Sequence, residues 1–183
     1  MDAAIATGTI DAERVAITGL SDAAMTAAWA LLNSDRFAAA SVSSLASRNG
    51  FLAIGGPARA TEFRRAGLIN LPLEKGIEFW KSMSIADNPE KVRVPLLVQV
   101  SDDELASGVD SYEVLREQNR PVELYVYPGE HHNKWQPSHR LALYKRNLQW
   151  FDFWLRGVRH ADPLDPEQYD RWERLRAGAR DAP

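Results

Sequence analysis

The sequence predicts an α/β fold, a mostly parallel sheet with helices on both faces. Short apolar or β-branched runs alternate with longer runs of helical period along most of the chain. One apolar run is followed at once by a single serine and an alanine-rich helical pattern, which is a strand–turn–helix unit. Two later runs end in a carboxylate cluster and a histidine pair, so chemistry-bearing residues gather at strand ends.

The elements follow in order. Residues 2–6 read as a short helical end with Thr7-Gly8-Thr9 as its exit, and 10–14 lead into a strand over 15–18. After Ser21, Met25, Ala28, Trp29 and Leu32 recur at helical spacing. Residues 37–42 are the next apolar run. Serines and glycines from Ser43 to Pro57 open a long irregular region, with short helical pieces expected over 59–65 and 72–82. A turn at 88–92 precedes the clearest buried strand, 94–100. Residues 108–118 form an amphipathic helix through Val109, Tyr112, Val114 and Leu115. Residues 121–127 are a further strand. A helix over 137–155 carries Leu141, Tyr144, Leu148, Phe151 and Trp154 as its apolar stripe, with Trp150 and Phe153 also expected in the core, and Gly157 stops it. Asp165-Pro166-Glu167 starts a last short helix with Tyr169, Trp172 and Leu175.

Composition narrows the function classes. The 183 residues suffice for one domain with a sizeable core. Net charge is −3 with no basic block, which argues against nucleic acid and acidic membrane surfaces as partners. There is no cysteine, so disulfides, thiolate metal sites and cysteine nucleophiles are excluded. No run approaches the ~18 apolar residues of a membrane span. Residues 1–10 lack the basic start and apolar core of a signal peptide, and the compartment stays open. Glu130, His131 and His132 have no second ligand cluster, so no metal is expected. Gly55-Gly56 is too short for a phosphate loop, and no cofactor is expected.

Ser21, the cluster Asp102-Asp103-Glu104 and the pair His131-His132 stand in the chain order of an α/β-hydrolase, each just past a strand's carboxyl end. Gly19 lets the strand turn sharply before Ser21, and Ala23 is the small residue two positions after it. A serine hydroxyl needs a base to take its proton, an imidazole can take and return it, and a carboxylate fixes the imidazole tautomer. The residues alone leave open which carboxylate and which histidine serve.

The stretches Asp-Ala-Glu-Arg-Val-Ala-Ile-Thr-Gly-Leu-Ser (11–21), Val-Pro-Leu-Leu-Val-Gln (94–99) and Tyr-Pro-Gly-Glu-His-His (127–132), with the aromatic terminal helix, resemble the catalytic domain of prolyl oligopeptidase-type serine peptidases. Gly-Leu-Ser-Asp (19–22) and Tyr-Pro-Gly-Glu-His-His-Asn-Lys-Trp-Gln-Pro (127–137) are most similar to its lasso-peptide isopeptidase branch. The resemblance implies Ser21 as nucleophile and His132, rather than His131, as base. By the family's usual spacing the acid is Asp103, with Val100 in place of the usual glycine. By the isopeptidase branch it is Glu104, which is preferred, with Asp103 the alternative and Asp102 third. The backbone N–H of Asp22 would be one oxyanion donor, with its side chain turned away or paired. Lys134 and Trp135 either line the cleft or pack, and His139 and His160 are a helix-start and a surface histidine.

The resemblance further implies the carboxyl half of an α/β-hydrolase domain over 1–183, without the N-terminal strands and propeller of the family. The nucleophile strand should then be an unpaired edge, and the second oxyanion donor lacks a source. The implied activity is hydrolysis of a peptide or isopeptide amide through an acyl-enzyme, with a lasso peptide as substrate. A general dipeptidyl or oligopeptidase, an esterase, or an inactive remnant with an idle triad are the alternatives. An isolated chain of this kind is expected to be weakly active or inactive.

Overall fold

In the computed structural model, which describes residues 1–44, 61, 65 and 81–180, four strands form one sheet in the order β1-β2-β3-β4 with every pair parallel. A one-turn helix α1 (Asp2–Ile5) precedes β1 (Ala16–Leu20), α2 (Asp22–Asn33) and β2 (Ala39–Ser43). Then come β3 (Leu96–Ser101), α3 (Leu105–Glu117), β4 (Val122–Tyr127), α4 (Pro137–Arg156) and α5 (Gln168–Arg180). The helical pieces expected over 59–65 and 72–82, and the glycine pair at 55–56, fall largely outside the described residues. Among the described residues, β1 forms one edge of the sheet, as expected. No helix among them is long and apolar enough to cross a membrane.

Parallel pairing explains the character of the strands. Parallel strands are covered on both faces and read as continuous apolar runs, and all six residues of β3 are buried. Successive side chains then alternate between two cores. Leu96, Val98 and Val100 join Ala40, Val42 and Val122 against α2 and α3, through Ala24, Ala27, Ala28, Leu31 and Leu115. On the opposite face Leu97 meets Trp150 and Phe153 of α4 and Tyr169 and Trp172 of α5. The Trp150 indole N–H donates to the Ala40 carbonyl at 3.0 Å, and its ring stands edge-on to Trp172 at 5.1 Å. Helices thus cover both faces, as the sequence predicts.

Three helix faces differ from expectation. In α2 the buried side is Ala24, Ala27, Ala28, Leu31 and Leu32, while Trp29 is exposed. The small alanines let the helix lie close to the sheet, and an indole would hold it off. In α3 the buried side is Ser107, Gly108, Ser111 and Leu115. A Cβ on Gly108 would come within 3.2 Å of Val100 and 3.3 Å of Leu124.

The largest correction concerns α4. Leu141, Tyr144 and Leu148, expected as its core stripe, are 68%, 60% and 64% exposed. Phe151 and Trp154 pack only at the margin of the core. The buried face is Arg146, Gln149, Trp150 and Phe153. Two polar side chains can enter it because each has a partner. Arg146 lies over the Tyr125 ring at 3.5 Å, and Gln149 accepts from Gln168 at 2.8 Å. The helix ends as predicted, with Gly157 left-handed at φ 69°.

The two stripes of α4 can be told apart by stability. W150A is expected to cost about 3–5 kcal/mol, and L148A to change stability by no more than about 0.5 kcal/mol, measured by urea denaturation of the chain. Equal losses would restore the stripe read from periodicity.

Candidate active site

The carboxyl ends of β1, β3 and β4 bring the predicted residues to one rim of the parallel sheet. β1 runs on through Gly19 and Leu20, two residues beyond the strand expected from sequence, and breaks at Ser21. Ser21 has φ 60° and ψ −123°, a region that side chains other than glycine rarely occupy. Its N–H still reaches the Ser43 carbonyl at 3.2 Å, while Ala24 and Met25 close the first helical turn on its own carbonyl. The strain thus lies at the junction of strand and helix. Gly19 makes the junction possible. A Cβ there would lie 2.1 Å from the Ala23 carbonyl oxygen, a backbone atom that cannot swing aside. Asp22 opens α2, where the first N–H groups of a helix have no intrahelical acceptor, and its side chain is exposed. The Ser21 hydroxyl makes no hydrogen bond among the described residues.

β3 and β4 supply the charged part. Ser101 is in register with Tyr127, so the turns that follow these strands face each other. The three carboxylates after β3 sort themselves in order along the loop after β4. Asp102 accepts from the Gly129 N–H at 2.8 Å, and Asp103 meets His131 Nδ1 at 2.9 Å. Glu104 meets His132 Nδ1 at 2.6 Å. The first two pairs are exposed, whereas Glu104 is 8% exposed.

Burial pushes the Glu104 carboxyl up. Hydrogen bonds from His132, Ser44 and Ser101, together with the Lys134 ammonium, outweigh it and bring the pKa down to about 2. At Asp103 the Ser101 hydroxyl and then His131 lower the pKa, and Asp103 in turn raises that of His131.

Two residues here gave no functional signal in the sequence. Glu130, weighed there only as a metal ligand, is buried and holds its own loop shut. It accepts from the Trp135 N–H at 2.6 Å and the Gln136 N–H at 3.0 Å, and meets His139 at 2.9 Å. His139, expected as a helix-start residue, is thereby a partner of that staple. Ser44, at φ 60° just past β2, donates to Glu104 Oε2 at 2.7 Å across 60 residues of sequence. No local pattern marks either role.

A groove of about 720 Å³ opens beside His132, lined by Gly19, Leu20, Ser43, Lys134, Trp135 and Tyr144. Both Lys134 and Trp135 therefore face the cleft, Lys134 buried and Trp135 largely exposed. His160, expected at the surface, pairs with Asp152 at 2.8 Å.

The profile of the prolyl oligopeptidase family matches residues 1–158. The lasso peptide isopeptidase AtxE2 of Asticcacaulis excentricus is 42% identical over 172 residues, which are 93% of this chain and 24% of that protein. Apo AtxE2 isopeptidase superposes with a TM-score of 0.84 at 40% identity, covering 97% of this chain and 27% of the other. A variant of the same isopeptidase with Astexin3-dC4 bound gives a TM-score of 0.83 at 38% identity, with the same coverage. An acylaminoacyl peptidase, 23% identical with a TM-score of 0.72 over 91% of this chain and 28% of its own, shares the fold. The chain spans about a quarter of the length of the curated relative it matches.

Two outcomes follow from the geometry. G19A should destabilise the chain by at least about 3 kcal/mol in urea denaturation, because a backbone carbonyl blocks the new methyl group. Glu104 is held at about 2, below its ordinary 4.5. Its contribution to stability is therefore complete above pH 4.5 and disappears as the pH falls through about 2. The stability gap between the native chain and E104Q should close over that window, read from denaturation midpoints at successive pH values.

Proposed function

The chain belongs to the prolyl oligopeptidase family, and from that premise we propose that residues 1–183 are the carboxyl part of an α/β-hydrolase catalytic domain that cleaves an isopeptide amide. The observation that carries the reading is the 2.6 Å hydrogen bond from His132 Nδ1 to Glu104, at the same rim as a serine held in a strained elbow. Ser21 is the nucleophile, His132 the base and then the acid, and Glu104 the carboxylate that fixes the imidazole. Asp103 is set aside as the acid, since it is exposed and engaged with His131.

The steps follow from these positions. His132 Nε2 takes the Ser21 proton as Oγ attacks the amide carbonyl, while Glu104 stabilises the imidazolium that forms. The Asp22 N–H at the start of α2 faces the developing oxyanion, where the helix dipole favours negative charge. His132 returns the proton to the leaving amine, and water then releases the acyl group by the reverse sequence.

The substrate class is drawn from the similarity to a lasso peptide isopeptidase. An isopeptide bond joins an amino terminus to an Asp or Glu side chain and closes the peptide's ring. Its hydrolysis opens the ring and adds the mass of one water.

A fluorophosphonate probe tests the assignment. Labelling located at Ser21 by mass spectrometry, absent in S21A and H132A, is the expected result. E104Q should lose it on the order of 10⁴-fold, whereas D103N should leave it unchanged. Labelling that survives E104Q and disappears in D103N would move the acid to Asp103. Incubation with a threaded lasso peptide beside a linear peptide and p-nitrophenyl acetate separates an isopeptidase from a general peptidase or an esterase.

A further inference from the structure

Glu104 presents its two oxygens to different surroundings. Oε1 faces His132 Nδ1. Oε2 takes the Ser44 hydroxyl at 2.7 Å, the Ser101 hydroxyl at 2.8 Å and the Lys134 ammonium at 3.3 Å. Lys134 also donates to the His132 carbonyl at 3.4 Å, and its side chain is 3% exposed. A lysine is rarely buried without a charged partner, and here the partner is the one buried carboxylate of the cluster.

Resting on the reading of Glu104 as the acid, we propose that Lys134 is a positioning residue, which with Ser44 and Ser101 clamps one glutamate oxygen so that the other is held on His132. The Ser44 hydroxyl and the Lys134 ammonium on Oε2, with the Ser101 hydroxyl shared between Oε2 and Asp103, fix the plane of the carboxylate. The ammonium also ties the main chain of the histidine to the acid it must meet, so the loops after β3 and β4 move together.

The clamp accounts for a glutamate at this position. An aspartate side chain is one methylene shorter, so its carboxylate would stop short of the place between Ser44 and His132 that Glu104 reaches. Asp103 lacks such a clamp. It shares the Ser101 hydroxyl at 2.5 Å and otherwise faces the exposed His131.

The charged and titratable groups facing Glu104 are His132 and Lys134 from the loop after β4 and Asp103 from its own turn, with the hydroxyls of Ser44 and Ser101. Lys134 is the one fixed cation among them. Removing it should therefore loosen the carboxylate and make it easier to protonate, while a lysine that only fills space would leave both properties unchanged.

The test uses the 183-residue chain with carbon-13 and nitrogen-15 labels, in K134M and S44A. Methionine keeps the volume and removes the charge. S44A removes one donor and keeps the charge. K134M should raise the Glu104 carboxyl titration midpoint by about 1–3 pH units, the effect of an opposite charge at this range. It should also broaden or abolish the low-field Nδ1 proton resonance of His132. S44A should move both in the same direction by less.

Fluorophosphonate labelling of Ser21 in K134M should fall about 10–100-fold, the loss of one charge-assisted hydrogen bond. A Glu104 midpoint and a His132 resonance unmoved in both variants would overturn the proposal. If K134M does not fold, S44A decides alone by the same two signals. The two NMR signals do not need a reactive serine. A chain whose Ser21 resists the probe while Glu104 shifts as expected would count against Ser21 as the nucleophile and leave the clamp standing.

Discussion

Glu104 and His132 share a hydrogen because two parallel strands end side by side. Ser101 and Tyr127 are register partners, and the chain then makes a tight turn of one helical type after β3 and an open loop after β4. The carboxylate lies three residues past its strand and the imidazole five past its own. A slip of one residue in the β3–β4 pairing would turn the alternating side chains of a strand to the wrong cores. Val98 and Val100 would then face the aromatic layer, and Leu97 the alanines of α2. The hydrophobic register that holds the sheet is thus the same constraint that aligns the charged pair.

Three adjacent carboxylates facing one loop present a sorting problem, which burial resolves. Asp102 and Asp103 stay at the solvent edge and bind whatever lies opposite, a backbone N–H and an exposed imidazole. Exposed pairs of this sort are weak, being screened by water and salt. Glu104 enters the gap between β2 and the loop after β4, where the same contacts are made away from water. There an unpartnered carboxylate would be protonated instead, so its four polar neighbours are a condition for its charge. The buried Glu130 plays a separate part. It satisfies the N–H groups of residues 135 and 136, which the loop leaves open as it enters α4, and so keeps the loop carrying His132 in one shape.

Much of this was legible in the sequence, and the failures have physical causes. β3 was readable because a strand buried on both faces is a continuous apolar run. The elbow was readable because Gly19 and Ser21 mark the turn from strand to helix. The first three strands nevertheless run one or two residues further toward the rim than their apolar runs suggest, and β4 ends where expected. Gly19, Ser43 and Ser101 pair in the sheet whatever their side chains prefer. In α4 the local pattern offered two apolar stripes, since Leu141, Tyr144 and Leu148 share the helical period as well as Trp150 and Phe153. Only the sheet and α5 decide between them, because they supply partners for Arg146 and Gln149. The chain order of serine, carboxylate and histidine was plain from the sequence, but the burial of one carboxylate among three was not. Ser44 and Lys134 act on Glu104 from 60 and 30 residues away, with no local signal to mark them.

The two strained serines complete the argument. Ser21 and Ser44 follow neighbouring parallel strands, and both have φ 60°. Each such residue costs of order 1–3 kcal/mol, and the surrounding sheet has to hold it there. The pairing of β2 with β1 on one side and β3 on the other does so, since the Ser21 N–H reaches the Ser43 carbonyl and the Ser44 N–H reaches the Gln99 carbonyl. The same backbone device has opposite results for the hydroxyls. At Ser44 it directs the oxygen inward onto the carboxylate, where it is fully engaged. At Ser21 the oxygen is left without a partner among the described residues. One hydroxyl is held out on its strained turn, and its neighbour is committed to the buried carboxylate. The strain at this rim is thus divided between presenting one serine and anchoring the glutamate through the other.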